Sequence, residues 1–259
     1  MRAPVIVLVC LVAAAIAAPL VAPYLPEQID LAHRREAPSA AHPFGTDDLG
    51  RDVLARVLHG ARVSLAVGLL SAAIAGLLGV AIGGVAGYAG GAIDAVLMRG
   101  TDAMLAIPRL PLLMIAGALM QPSVLLLVML IGASGWMETA RASRAEFMTL
   151  RSRGFVESAR AAGAGHARLI ARHLLPNAAH VVIVSMTLAV ARGILLESAL
   201  SFFGVGVRPP AASWGNMLYQ AQATLSSEPW LAFAPGLFIL ITTLSVNLAG
   251  ERLSRSRAL

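Results

Sequence analysis

The sequence predicts an all-α polytopic membrane protein with six spanning helices, and three observations carry that expectation. Of the 259 residues, 58% are hydrophobic and 13% charged, against about 45–50% apolar and about 25% charged in an ordinary soluble domain. The mean hydropathy is +0.76. The apolar residues gather into runs at 4–22, 63–88, 96–120, 124–137, 181–207 and 230–250, most of them near the roughly 20 residues that a helix needs to cross a bilayer. Such a chain is neither a water-soluble globule nor disordered, since disorder needs the opposite bias. In lipid the backbone must satisfy its own hydrogen bonds, and these run lengths suit helices better than the alternating strands of a barrel.

The first run, 4–22, follows Arg2 and contains Ala15-Ile16-Ala17, which also resembles a signal peptide with a small-residue cleavage site. The run exceeds the usual apolar core of about 7–15 residues in such peptides, so a retained first helix is expected at 1–22. The lone Cys10 lies inside it, which excludes an internal disulfide and any cysteine-rich metal site. An external loop is expected over 23–62. Within it Thr46 or Asp47 can cap an amphipathic helix running to Leu58, with Asp47, Asp48 and Asp52 near its positive end and Gly60 just past its close.

The second run is rich in small residues. Gly68, Ala72 and Gly76 repeat every four positions, as do Gly79, Gly83 and Gly87, and that spacing lets helix backbones approach closely where packing replaces the hydrophobic drive. The third run is interrupted by Arg109. The fourth is too short alone and must borrow neighbours such as Pro122 and Thr139. The fifth carries Arg192 and Glu197. The core of five helices is expected over 63–250.

All 20 basic residues are arginine. A phosphate-binding loop of the Walker type needs a lysine, so this chain cannot hold a nucleotide in that way. The net charge of +6 is a matter of topology rather than a signal for nucleic acid, because arginine clusters in particular loops. The stretch 138–177 carries seven arginines against three glutamates, and the tail at 251–259 adds Arg252, Arg255 and Arg257. The segments 23–60 and 208–229 are balanced or acidic. Arginine marks the cytoplasmic side, so both termini are expected inside and the loops 23–62 and 208–229 outside.

The arginine-rich loop reads as two short helices. The stretch 152–162 is rich in helix formers and is broken by Gly163 and Gly165; a second run, 166–174, stops before Pro176. A helix–glycine–helix elbow in water suits docking in a groove of another protein. An amphipathic segment lying on anionic lipid is the other reading, and pattern alone leaves both open.

Glu157, Ala159, Gly163, Leu175 and Pro176 fall in the register of the EAA loop of binding-protein-dependent ABC importer permeases, with Ser158 in place of its middle alanine and His173 in place of its isoleucine. The run from His42 to Val53, HPFGTDDLGRDV, resembles a signature of dipeptide and oligopeptide permeases of the DppC/OppC type. So do Gly87-Tyr88-Ala89-Gly90-Gly91, Leu200-Ser201-Phe202-Phe203-Gly204 and Ser213-Trp214-Gly215-Asn216-Met217-Leu218. The resemblance implies the six-helix fold of type I importer permeases with a cytoplasmic coupling helix in the EAA loop. It implies a channel shared with a homologous second permease of the DppB/OppB type, and one or two separate ATPase subunits that hold ATP and Mg while this chain binds no cofactor. It also implies an extracytoplasmic solute-binding protein and a bacterial inner membrane. The solute would be a dipeptide or oligopeptide, although nickel and glutathione importers share these motifs. Asp47, Arg51, Trp214 and Asn216 then become candidates for the face toward the binding protein.

Ionisable groups inside spans are functional candidates by default. They are Asp102, Arg109, Arg192 and Glu197. Asp102 and Glu197 have counterparts in the resembled family, whereas Arg109 and Arg192 depart from it. The expectation is that one of these acids pairs with one of these arginines. Two other functions compete. Gly132-Ala133-Ser134-Gly135 resembles the serine turn of rhomboid proteases, but no histidine lies inside a span to serve as base. An ion-coupled secondary transporter would explain the helices and charges but not the arginine-rich elbow, and no inverted repeat is visible.

Overall fold

The computed structural model describes residues 2–121 and 123–255, so Pro122 and Arg257 lie outside the described residues. Among the described residues the chain is helical, with no strand beyond an isolated bridge between Thr46 and Asp52. Four helices are long and apolar enough to cross a membrane: α1 (Arg2–Val21), α2 (Val53–Ala89), the helix entering α9 (Leu175–Phe202), and α11 (Trp230–Arg255). Two bent pairs bring the total to six if each is counted as one span: α3 (Gly91–Leu105) with α4 (Arg109–Ala118), bent by 76°, and α5 (Val124–Ala133) with α6 (Trp136–Arg151), bent by 41°. Short helices α7 (Gly154–Ala161), α8 (His166–Leu169) and α10 (Trp214–Ala221) complete the set.

The central element is α2, which packs against α6, α9, α5 and α1. Its two glycine stripes serve two different neighbours. A Cβ on Gly79 or Gly87 would strike the backbone oxygen of Trp136 or Arg144, and one on Gly83 would strike the backbone of Ala140, all on α6. Gly68 and Gly76 instead lie against Val190, Ile194 and Met186 of α9. Where lipid is as apolar as the helices, this close approach is the packing energy.

Several boundaries differ from the expectation. No separate amphipathic helix ends at Leu58: α2 starts at Val53 and runs unbroken through Gly60 and past the 62/63 boundary for 37 residues. Gly60 is small because Ser213 presses on it, not because the helix ends there. Asp52 is the cap, its Oδ2 accepting from the Ala55 N–H at 2.7 Å. Asp47 instead closes the preceding turn, its Oδ1 accepting from the N–H groups of Leu49 and Arg51. The stretch 138–177 is mostly the ends of long helices, since α6 reaches Arg151 and the next helix resumes at His166. Pro176 does not stop that helix. The wider-wound turn Ile170–Leu174 precedes it, a device that accommodates a ring with no N–H inside a helix. The tail expected from 251 begins as the last turn of α11.

At the end of the bundle away from the arginine-rich elbow, α2, α9 and α10 converge on Glu197, which is fully buried. Ser64 Oγ donates to its Oε2 at 2.8 Å and Ser201 Oγ to its Oε1 at 2.7 Å. The Trp214 N–H in turn donates to Ser64 Oγ, and the Val207 N–H to Ser201 Oγ. The carboxylate thus holds two hydroxyls, and through them the loop before α10.

Two substitutions test this packing. Gly83→Val is expected to cost at least the roughly 1–3 kcal/mol of overpacking and to lower the yield and melting temperature of the purified protein, while Gly100→Ala, with open space at its Cβ, leaves both unchanged. Glu197→Leu strands the hydroxyls of Ser64 and Ser201 and is expected to cost roughly 1–3 kcal/mol, with Glu197→Gln closer to wild type in thermal melts.

Candidate functional site

The arginine-rich elbow is anchored on one face and bare on the other. Val156 of α7 is buried among Phe147, Leu150, Leu169, Leu174 and Ala178. Phe155, Glu157, Ser158, Arg160 and Gly163 are exposed and Ala159 is half-buried. The helix ends in a Schellman turn, in which the Ala164 N–H donates to the Ala159 carbonyl and the Gly163 N–H to that of Arg160. Gly163 takes φ +82°, which only glycine adopts freely, and nothing lies within 4 Å of where its Cβ would be. The elbow is seated on the end of α2, with Tyr88 Oη 2.5 Å from His166 Nδ1 and Arg151 Nη1 donating to the Tyr88 carbonyl. Leu175 and Pro176 are exposed on the helix that returns into the bundle, and Asn177 Nδ2 donates to the His173 carbonyl. Of the expected docking residues, Glu157, Ser158 and Gly163 on the elbow and Leu175 and Pro176 on the returning helix are thus exposed, and Ala159 is half-buried.

The four residues expected to face a binding protein do not. Asp47, Arg51, Trp214 and Asn216 are all buried. Arg51 Nε donates to Asp47 Oδ2 at 2.7 Å, and the buried Arg56 lies 3.5 Å from the same oxygen. Trp214 Nε1 donates to the Val57 carbonyl, and Asn216 Nδ2 to those of Ala211 and Val207. Irregular backbone must have partners, and these side chains supply them by turning inward. Exposed on the same segments are, among others, Arg34, Asp48 and Tyr219. Nearby, His33 Nδ1 donates to Asp30 Oδ2, and this hydrogen bond raises the His33 pKa and lowers that of Asp30.

The expected pairing among Asp102, Arg109, Arg192 and Glu197 does not form. Asp102 pairs with Arg141 at 2.5 Å, and Arg192 with Glu138 at 2.7 Å. Glu197 is held by serines, and Arg109 donates to the Ile131 carbonyl at 2.9 Å and to Ser134 Oγ at 3.2 Å. A further pair, Asp94 with Arg144, grips through two hydrogen bonds. Apart from Ser201, one turn along the same helix as Glu197, each partner sits on another helix, where no sequence spacing could reveal it. Ser134 Oγ donates to the Ile131 carbonyl and accepts from Arg109, so it has a guanidinium where a protease serine needs a base. Among the described residues no cluster of three or more histidine, cysteine or acidic side chains could hold a metal ion.

Comparison with known proteins agrees with this architecture. Residues 79–258 match the family described as binding-protein-dependent transport system inner membrane component. A Brucella suis (biovar 1, strain 1330) protein named "putative peptide permease protein" is 39% identical over 237 residues, covering 91% of this chain and 78% of the relative. The oligopeptide transport system permease protein OppC of Bacillus subtilis (strain 168) is 34% identical over 248 residues, covering 96% of this chain and 81% of the relative. In fold, the chain is similar to a structure of the MetNI methionine ABC transporter in an inward-facing conformation, with a TM-score of 0.63 at 18% identity, covering 78% of this chain and 96% of the other. The chain therefore belongs to the family of binding-protein-dependent transport system inner membrane components, and its helical bundle is that of a type I ABC importer permease.

Proposed function

We propose that this chain forms half of the translocation pathway of an ATP-driven importer for dipeptides or oligopeptides, with a homologous second permease of the DppB/OppB type supplying the other half. The names of the Brucella and Bacillus relatives support peptides as the solute. The elbow at 154–165 lies in the cytoplasm, as the arginine content of 138–177 argues, together with both termini. The loops 23–62 and 208–229 face outward, toward a solute-binding protein that meets Arg34, Asp48 and Tyr219. ATP and Mg belong to one or two separate ATPase subunits, and this chain, without lysine, catalyses no hydrolysis itself.

The observation that carries the coupling role is the half-anchored elbow. A helix gripped by Val156 and free along Phe155, Glu157 and Ser158 can be held by a partner's groove without unfolding the bundle. Movement of that partner would reach the spans by two rigid routes. One is the continuous helix from His166 to Phe202. The other is α6, whose end supplies Phe147 and Leu150 to the same apolar cluster and whose backbone lies on the glycines of α2.

Glu157→Lys is expected to leave the permease assembled in the membrane while lowering co-purification of the ATPase about tenfold, which corresponds to ~1.4 kcal/mol, and uncoupling hydrolysis from uptake. Wild-type recovery of the ATPase together with normal uptake would overturn the coupling role.

A further inference from the structure

The two bent spans break at the same place. The α3–α4 bend and the α5–α6 bend enclose a cavity of about 280 Å³ lined by Met104, Pro108, Arg109, Ser134, Met137 and Glu138. A small adjoining hollow is lined by Ser71, Ala72 and Ala75 together with Arg109 and Arg192. Residues 71–75 lie at the middle of α2, which spans Val53–Ala89, so this charged cluster sits about midway through the bundle. Non-helical backbone at such depth is tolerated where it lines a cavity, and a charge there faces water or a partner rather than lipid.

The charges do not balance. Along α3 and α6, Asp94 is paired with Arg144 and Asp102 with Arg141, and Glu138 holds Arg192 of α9. Arg109 makes no ion pair among the described residues. A guanidinium has five N–H donors, and the Arg109 hydrogen bonds engage only Nε and Nη2, to Ser134 Oγ and the Ile131 carbonyl. These two bonds fix the plane of the fork at the cavity wall. Gly135 makes room for the fork there, since an added Cβ would lie 2.7 Å from Nη2. A planar, fixed fork with donors to spare and no acid paired to it matches a carboxylate.

We propose that this cavity is a carboxylate-recognition point on the translocation path, in which Arg109 receives the carboxylate of the passing solute and Arg192 keeps the Glu138 carboxylate occupied. The inference rests on the peptide reading above, in which every unmodified solute carries such a group at its C-terminus. Arg109 is then a specificity-determining residue for transport rather than a fixed structural charge.

The test uses the complete transporter, with its partner subunits and binding protein, in proteoliposomes supplied with Ala-Ala or with the amide of Ala-Ala. Arg109→Gln is expected to lower Ala-Ala uptake about tenfold, while hydrolysis of ATP stimulated by the loaded binding protein persists and uptake of the amide, whatever its level, is unchanged. Arg109→Lys, which keeps the charge, is expected to retain more Ala-Ala uptake than Arg109→Gln. Wild-type uptake of Ala-Ala that Arg109→Gln leaves intact would overturn this inference alone, and so would equal loss of acid and amide, a parallel loss of stimulated hydrolysis, or equal defects in the two variants. Absence of Ala-Ala uptake by the wild-type transporter would overturn the peptide reading and this inference together.

Discussion

The bare backbone of α2 is the constraint on which the rest of the bundle depends. In an apolar solvent, helices gain little from hiding apolar surface, so association rests on close packing. The glycines at 79, 83 and 87 let α6 lie against α2 with backbone oxygens where side chains would stand, and those at 68 and 76 admit α9 on another face. Because α6 and α9 are also the helices that flank the elbow, their seating on α2 sets where the elbow projects. One helix thus fixes both the membrane core and the presentation of the exposed face of α7.

The two ends of the bundle solve opposite problems. At one end, irregular segments cross over α2 and are tied down there. Inward-turned side chains hold them: Glu197 with Ser64 and Ser201, Asn216 with the carbonyls of Val207 and Ala211, Trp214 with that of Val57, and Asp47 with Arg51 and Arg56. At the other end the chain leaves the spans briefly, in a short helix held by one buried valine and closed by a glycine turn. The first arrangement is built to stay put. The second leaves a helical face unsatisfied by its own chain.

The charges between the ends follow a single logic. Asp94, Asp102 and Glu138 each take an arginine from a neighbouring helix, which removes most of the cost of carrying charge into a span. Arg109 makes no ion pair among the described residues, and it stands where both bent helix pairs break and a cavity opens. Charge and cavity coincide because an unpaired guanidinium persists at that depth only beside water or a ligand.

The amino-acid sequence alone determined the membrane class, the positions of the apolar runs, the glycine stripes and the spacing of Glu157, Gly163 and Pro176, because each is a property of composition or of short-range periodicity. It missed the continuity of α2 through Gly60 and of the helix through Pro176, since a glycine or proline there answers to a neighbour such as Ser213 or to a local change of winding, neither of which its identity announces. Only the tertiary structure decided which charges meet. Glu197 finds Ser64 across 133 positions and Asp94 finds Arg144 across 50, and it is burial that converts Asp47, Arg51, Trp214 and Asn216 from surface candidates into interior supports. Pairing and burial depend on how helices distant in sequence are laid side by side, and no pattern within a single run contains that information.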